Sequence, residues 1–138
     1  MTPFLTPVQS PKLLREIWPA IRPAVERLQR KDDSGWLVDD MYAELVRFDG
    51  TYLWTTADLY GFVVLQVLAS PYAKNLHVWI ASNATEAGAA GFVEQLKGIA
   101  VDAGCDNITF VSDRAGWQRA VPEFQARTLY TLKIGDGS

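Results

Sequence analysis

The stretch Leu76–Gly91 constrains the fold of this chain more than any other segment. It starts with apolar residues typical of a buried strand, passes through a short turn of small residues, and continues with the apolar spacing of a helix. The first backbone N–H groups of a helix have no partner within it, so such a turn can bind a phosphate group. Glu86 places a negative charge in the predicted first helical turn, which disfavours an anion there. The segment therefore predicts a strand–turn–helix fold more firmly than it predicts a reaction.

Composition places the chain among globular proteins, because 138 residues that are 49% hydrophobic can form one domain with a core. The formal net charge is −3, and the sequence lacks the basic stripe typical of nucleic-acid binding. Its longest apolar run, Phe62–Ala69, is too short to cross a membrane, and the N-terminus lacks the basic region of a secretory signal. We therefore expect one domain over residues 1–138, in the cytoplasm, with neither nucleic acid nor membrane as a partner.

Apolar periodicity predicts helices and strands along the whole chain. Pro19 and Pro23 interrupt the first helix, which predicts a kink or two abutting pieces. Asn83 and Glu86 form a predicted capping box, and Gly104 is a predicted helix stop. The elements are, in order, helices over Leu13–Leu28 and Leu37–Phe48, strands over Thr51–Thr55, Tyr60–Ala69 and Asn75–Ala81, a helix over Asn83–Ala103, a strand over Asn107–Val111, a helix over Gly116–Glu123 and a strand over Arg127–Ile134.

This order of elements resembles the GNAT superfamily of N-acetyltransferases. The resemblance covers roughly Pro11 to Ile134 and is carried by three segments, namely Ser82–Gly91, Ala103–Phe110 and Ser112–Arg119. In these places the chain is also similar to small GNAT-like proteins encoded by tailed bacteriophages. The resemblance implies an α/β (α+β) fold, with a mixed, mostly antiparallel central sheet and helices on both faces.

The same resemblance implies acetyl-CoA as a co-substrate, an amine as acceptor and no other required cofactor. The family's pyrophosphate loop usually reads Gln or Arg, two residues, Gly, one residue, then Gly or Ala. Thr85 stands where the family carries the Gln or Arg. The family's general acid is a tyrosine on the short C-terminal helix; Gly116–Glu123 contains none, so Tyr130 is the nearest substitute. The implied CoA-binding residues are Thr85, Ala87, Gly88, Ala89, Ala90 and Gly91.

His77 is the single histidine of the chain, and a neutral imidazole is a candidate general base for an acceptor amine. Strand alternation places His77 with Trp79 on one face of the predicted strand. The opposite face of the strand then carries Leu76, Val78 and Ile80. The alternative interpretation is a half-buried histidine that fills space or bonds to the backbone.

Three glycines and the lone cysteine have competing explanations. Gly88, Gly91 and Gly98 lie in one predicted helix, where each costs about 1 kcal/mol relative to alanine. This cost indicates close approach to the backbone, either by a cofactor or by the sheet. Cys105 is interpreted as a structural thiol, because the adjacent Asp106 disfavours a thiolate. No spacing of histidine, cysteine and carboxylate residues predicts a metal site.

Two functions fit these observations. The first is a degenerate, non-catalytic binding or assembly module, such as a bacteriophage virion or tail protein that binds phage structural proteins or self-associates. The altered loop favours it, and the five tryptophans could anchor an interface. The second is an active acetyl-CoA-dependent N-acyltransferase with an unknown amine acceptor. In that case Ala87–Gly91 provide backbone donors, His77 or a water accepts the amine proton, and Tyr130 protonates the leaving thiolate.

Overall fold

The computed structural model describes residues 5–31, 36–59, 61–82 and 89–110, together with Gln125 and Leu132. The predicted helix over Gly116–Glu123 lies outside these residues, as does the predicted last strand apart from Leu132. The observed elements are, in order, β1 (Thr6–Pro7), α1 (Pro11–Lys31), α2 (Val38–Arg47), β2 (Thr51–Thr55), β3 (Phe62–Ala69), β4 (Lys74–Ser82), α3 (Ala89–Asp102) and β5 (Asn107–Phe110).

The described strands form one sheet in the order β1-β2-β3-β4-β5. Neighbouring strands are antiparallel except for β4 and β5, which are parallel. The parallel pair arises because α3 carries the chain from the end of β4 back to the start of β5. The predicted mixed, mostly antiparallel sheet is confirmed. The two-residue strand β1 was not predicted, because two residues are too few to show an alternating pattern.

Different helices cover the two faces of the sheet. Strand β3 shows the division, since Phe62 and Val64 pack with α1 and α2 while Val63 and Leu65 pack with α3. All four side chains are buried, as expected for a strand covered on both faces. We call the two clusters the α1/α2 core and the α3 core. The predicted placement of helices on both faces is confirmed.

Helix α1 runs without interruption through Pro19 and Pro23. Of the two predicted alternatives, the division into two abutting pieces is therefore wrong, and the kink stays a prediction. Each proline removes the hydrogen bond to the carbonyl four residues earlier, on Arg15 and on Pro19 itself. Arg15, Pro19 and Pro23 are all exposed, so water can satisfy those carbonyls. The buried face of the helix retains Leu14 and Ile21 in the α1/α2 core.

Helix α3 ends as predicted at Gly104, which has a φ of +74°. The Gly104 N–H bonds to the Val101 carbonyl at 3.0 Å, and the Cys105 N–H bonds to the Ala100 carbonyl at 2.8 Å. This pair of bonds is the Schellman arrangement, in which a left-handed glycine closes the helix. The predicted capping box at the other end lies outside the described residues. Within the described ranges, none of the helices combines the length and apolar character needed to cross a lipid bilayer.

Candidate functional site on strand β4

A β-bulge interrupts the pairing of β3 with β4. Val64 pairs with Ile80 and Leu65 pairs with Val78, so Trp79 is an extra residue on β4 with no partner on β3. A bulge bends its strand and redirects the side chains on either side of it. Because of it, Trp79 and Ile80 both pack against the α1/α2 core. The prediction that Ile80 lies on the face opposite Trp79 is therefore wrong, since the extra residue shifts the alternation by one.

His77 lies two residues before the bulge and is half-buried. Leu76 and Val78 pack in the α3 core, so alternation directs His77 to the opposite face of the sheet. Its neighbours across the sheet are Gln66 on β3 and Thr109 on β5. The His77 Nδ1 atom lies 2.9 Å from the Thr109 Oγ1 atom, within hydrogen-bond distance. The three strands thus present an uncharged row of hydrogen-bonding groups with an imidazole at its centre.

Burial lowers the pKa of His77 below 6.5, because removal of water disfavours the charged imidazolium. The ring is therefore neutral at pH 7. A neutral imidazole has one N–H group and one nitrogen lone pair, so it can accept a proton from a bound ligand. Both interpretations of His77 remain compatible with this position: the ring is half-buried and hydrogen-bonded, and it is also in the state that a general base needs.

Two tryptophan rings form an apolar wall on the same side of β4. Trp36, which lies two residues before α2, meets Trp79 edge to face with ring centroids 5.6 Å apart. The Gln29 side chain donates to the Trp36 carbonyl at 3.2 Å and so ties this segment to α1. Trp36 was not predicted to be part of the site, because its proximity to Trp79 depends on how α2 packs against the sheet.

Side chains beside His77 hold β4 and β5 in register. The Asn107 side chain donates to the Asn75 Oδ1 atom at 2.9 Å. The Lys74 backbone N–H donates to Asp106 Oδ2 at 2.9 Å, and the Asp106 N–H donates to the Lys74 carbonyl at 2.6 Å. Thr109 was not predicted to be part of the site either, because its only signal in the sequence is a threonine at an alternate position of a short strand.

The residues predicted to bind CoA are placed only in part. Thr85, Ala87 and Gly88 lie outside the described residues. Ala89, Ala90 and Gly91 form the first described turn of α3, and β4 ends at Ser82. The structure thus describes the strand and the helix that flank the predicted loop. Tyr130 lies outside the described residues, so its distance from His77 stays untested.

Three further predictions concern α3 and its surroundings. A Cβ atom added at Gly98 would meet nothing within 4 Å, so close approach of the sheet does not explain this glycine. Cys105 is half-buried and packs against the α3 core, which agrees with a structural thiol. Among the described residues, no group of three histidine, cysteine, aspartate or glutamate side chains is placed to hold a metal ion.

Comparison with solved structures identifies the architecture. A Pyrococcus furiosus protein assigned as an acetyl transferase matches 94% of this chain and 98% of its own, with a TM-score of 0.65 and 13% identity. The chain has a GNAT-like fold. An aminoglycoside acetyltransferase from an uncultured soil metagenomic sample, solved with sisomicin, matches 94% and 97% of the two chains, with a TM-score of 0.61 and 14% identity.

A third match to this GNAT-like chain is an integron cassette protein from the mobile metagenome of V. cholerae. It covers 96% of this chain and 93% of its own, with a TM-score of 0.61 and 14% identity. No protein-family model matches the sequence, and no curated protein does. At such low identities the likeness establishes the fold alone, because one fold can support many different activities.

Proposed function

We propose that this GNAT-like protein is an acetyl-CoA-dependent N-acyltransferase that acts on an amine. The observation that carries the proposal is the neutral, half-buried His77, placed just before the β4 bulge and in the same row as Gln66 and Thr109. Bulges are frequent beside active sites, where they redirect a side chain or end strand pairing. The full-length likeness to acetyltransferases supports the same reaction class.

The proposed reaction transfers an acetyl group from the thioester sulfur to the amine nitrogen. His77 accepts a proton from the attacking amine, the new C–N bond forms, and the C–S bond breaks. The backbone N–H groups at the β4 bulge, where Trp79 has no register partner on β3, are candidate donors to the thioester oxygen as negative charge develops there. The CoA thiolate leaves and takes a proton from Tyr130 or from water. Acetylated amine and free CoA are the products.

CoA binding would use backbone N–H groups at the start of α3. Ala87–Gly91 are small residues that allow a pyrophosphate to approach the backbone closely. Thr85 supplies no positive charge to this loop, and Glu86 adds a negative one. We therefore expect CoA to bind more weakly than it would to a loop that carries a basic residue.

The first experiment titrates the purified protein with acetyl-CoA by calorimetry and follows thermal unfolding in parallel. A ligand present at 100 times its Kd should add about 2.7 kcal/mol to the free energy of unfolding. Gly88→Glu should abolish binding by adding a carboxylate to the predicted loop. Gly98→Glu is the matched control, because it adds the same charge at an exposed position with no close neighbour. Absence of heat and of a thermal shift up to millimolar ligand would overturn the enzyme proposal.

A second experiment tests the role of His77 by measuring release of the CoA thiol with a panel of amines. His77→Gln should bind acetyl-CoA as the wild type does, but should transfer acetyl groups roughly 100-fold to 10,000-fold more slowly, the usual range for loss of a general base. An unchanged rate in His77→Gln would remove His77 from the mechanism and leave a water as the base.

A non-catalytic binding or assembly module, such as a bacteriophage virion or tail protein, is the second candidate. It is favoured by Thr85 and Glu86 in the loop and by the lack of a tyrosine in Gly116–Glu123. The phage setting rests on the sequence resemblance alone. A protein that binds no acetyl-CoA, and that forms a defined oligomer or binds phage structural proteins by light scattering, would fit this candidate and not the enzyme.

A further inference from the structure

We propose that Thr109 is a positioning residue that holds His77 as its Nδ1–H tautomer and leaves Nε2 as the nitrogen that meets the acceptor amine. The inference rests on the proposed function, since it concerns how His77 would work as a base. It is carried by the pairing of the two residues on adjacent parallel strands and by the 2.9 Å separation of Nδ1 and Oγ1.

The position of the Thr109 hydroxyl is set by the sheet and not by a mobile loop. β4 and β5 pair over the whole described length of β5, and the Asn75–Asn107 contact at 2.9 Å lies at the adjacent same-face position. Threonine is branched at Cβ, which restricts its χ1 rotation. The strand register therefore presents the hydroxyl to one ring nitrogen of His77.

A hydroxyl can either accept a hydrogen bond from Nδ1–H or donate one to an unprotonated Nδ1. If Thr109 donates, the ring is the Nε2–H tautomer and its lone pair is already engaged, so proton uptake breaks the bond. If Thr109 accepts, Nε2 has a free lone pair. The imidazolium formed after proton transfer then keeps the Nδ1–H···Oγ1 bond. The second arrangement is the one in which His77 can act as a base without losing its partner.

The Thr109 hydroxyl is a polar group in direct contact with the His77 ring. On this face of the sheet, the described side chains of β3, β4 and β5 include no ionisable group other than His77 itself. Its nearest same-face positions are Gln66 across the sheet and Asn75 and Trp79 along its own strand. The described parts of these strands therefore hold no charged neighbour that would select a tautomer. The Thr109 hydroxyl lies within hydrogen-bond distance of Nδ1, and the need for a free Nε2 lone pair during proton uptake decides which of its two roles it takes.

The test uses the fact that the chain has one histidine, so the two imidazole nitrogen signals of the ¹⁵N-labelled protein belong to His77 alone. The wild type above the His77 pKa should show a protonated Nδ1 and an unprotonated Nε2. Thr109→Ser, which keeps a hydroxyl, should retain this pattern, and Thr109→Val should lose it. Thr6→Val is the control, because it removes a threonine hydroxyl that bonds across the sheet at β1, three strands from β4, and should leave the pattern unchanged.

Two NMR results would overturn the proposal: a dominant Nε2–H tautomer in the wild type, or the same tautomer in wild type and Thr109→Val. In the active enzyme, Thr109→Val should lower kcat by roughly tenfold or more with KM for acetyl-CoA unchanged, because part of the population holds the wrong tautomer. Thr109→Ser should restore kcat. The expected tautomer in a protein without acyl transfer would support the positioning and reject the proposed function; the opposite tautomer in an active enzyme would reject the positioning alone.

Discussion

At the scale of single residues, burial and one hydroxyl define the chemistry of His77. Burial keeps the imidazole neutral at pH 7, and Thr109 engages its Nδ1 atom. A histidine on an open surface would keep its ordinary pKa near 6.5 and would lack this partner. Neighbouring Gln66 and Trp79 add an amide and an aromatic ring, so the environment of the imidazole is polar on one side and apolar on the other.

The lowered pKa of His77 predicts a pH dependence of stability. In the unfolded chain the imidazole protonates near pH 6.5, whereas in the folded protein it protonates only at lower pH. The unfolded state therefore binds more protons across this window, and the free energy of unfolding falls as the pH is lowered through it. Urea denaturation between about pH 7 and pH 5 should show that the free energy of unfolding falls more steeply for the wild type than for His77→Gln. Carboxylates titrate in both proteins, so a difference in slope between the two stability–pH curves reports on His77. Parallel curves would contradict the prediction.

At the scale of elements, α3 shows that glycine can stabilise or destabilise a helix, depending on its position. Gly104 has a left-handed backbone with φ of +74° and closes the helix, whereas Gly98 lies within the helix on its exposed side. Glycine suits the first position because it has no Cβ to clash in the left-handed region. At the second position its backbone freedom weakens the helix.

The same substitution at these two glycines should therefore have opposite effects. Gly98→Ala should raise the free energy of unfolding by up to about 1 kcal/mol, because the added Cβ meets nothing and helix propensity improves. Gly104→Ala should lower it by about 1 kcal/mol, because alanine is strained at a positive φ. Urea denaturation of both variants beside the wild type measures the two changes. Destabilisation by Gly98→Ala would show that something approaches this face of α3 after all.

At the scale of the whole molecule, the N-terminal segment joins both layers of the structure. Leu5 packs in the α3 core and Val8 packs in the α1/α2 core. Between them lies β1, the edge strand of the sheet, which pairs with β2. The Gln95 side chain on α3 accepts from the Leu5 N–H at 3.0 Å and donates to the Leu5 carbonyl at 2.6 Å. One amide thus satisfies both backbone groups of a residue that is 1% exposed.

Loss of the two hydrogen bonds between the Gln95 side chain and the Leu5 backbone should destabilise the whole fold. Gln95→Ala leaves the buried N–H and carbonyl of Leu5 without their partner, which should cost about 1–3 kcal/mol. Gln9→Ala, at an exposed position in the same segment, is the matched control and should change stability by less than about 0.5 kcal/mol. Thermal unfolding measures both, and hydrogen exchange at the Leu5 amide should accelerate in Gln95→Ala alone. Equal stability of the two variants would mean that water bonds to the Leu5 N–H and carbonyl in place of Gln95.

The sequence by itself determined the features that depend on neighbouring residues. The spacing of Leu14, Ile21 and their neighbours predicted α1, and the apolar residues that begin at Leu76 predicted the strand observed as β4. Gly104 predicted the end of α3. Periodicity and helix-stop signals act within a few residues, so they can be read from the chain directly.

Only the tertiary structure decided the features that depend on distant residues. The bulge at Trp79 arises from the pairing of β3 with β4, and it reversed the predicted face of Ile80. His77 meets a residue 32 positions away, Thr109, and Gln95 bonds to Leu5 across 90 positions. Such contacts follow from strand register and from the packing of helices on a sheet, which local patterns do not encode. His77 was identified from sequence as a candidate base, whereas the hydroxyl that orients it became visible only when β5 was placed beside β4.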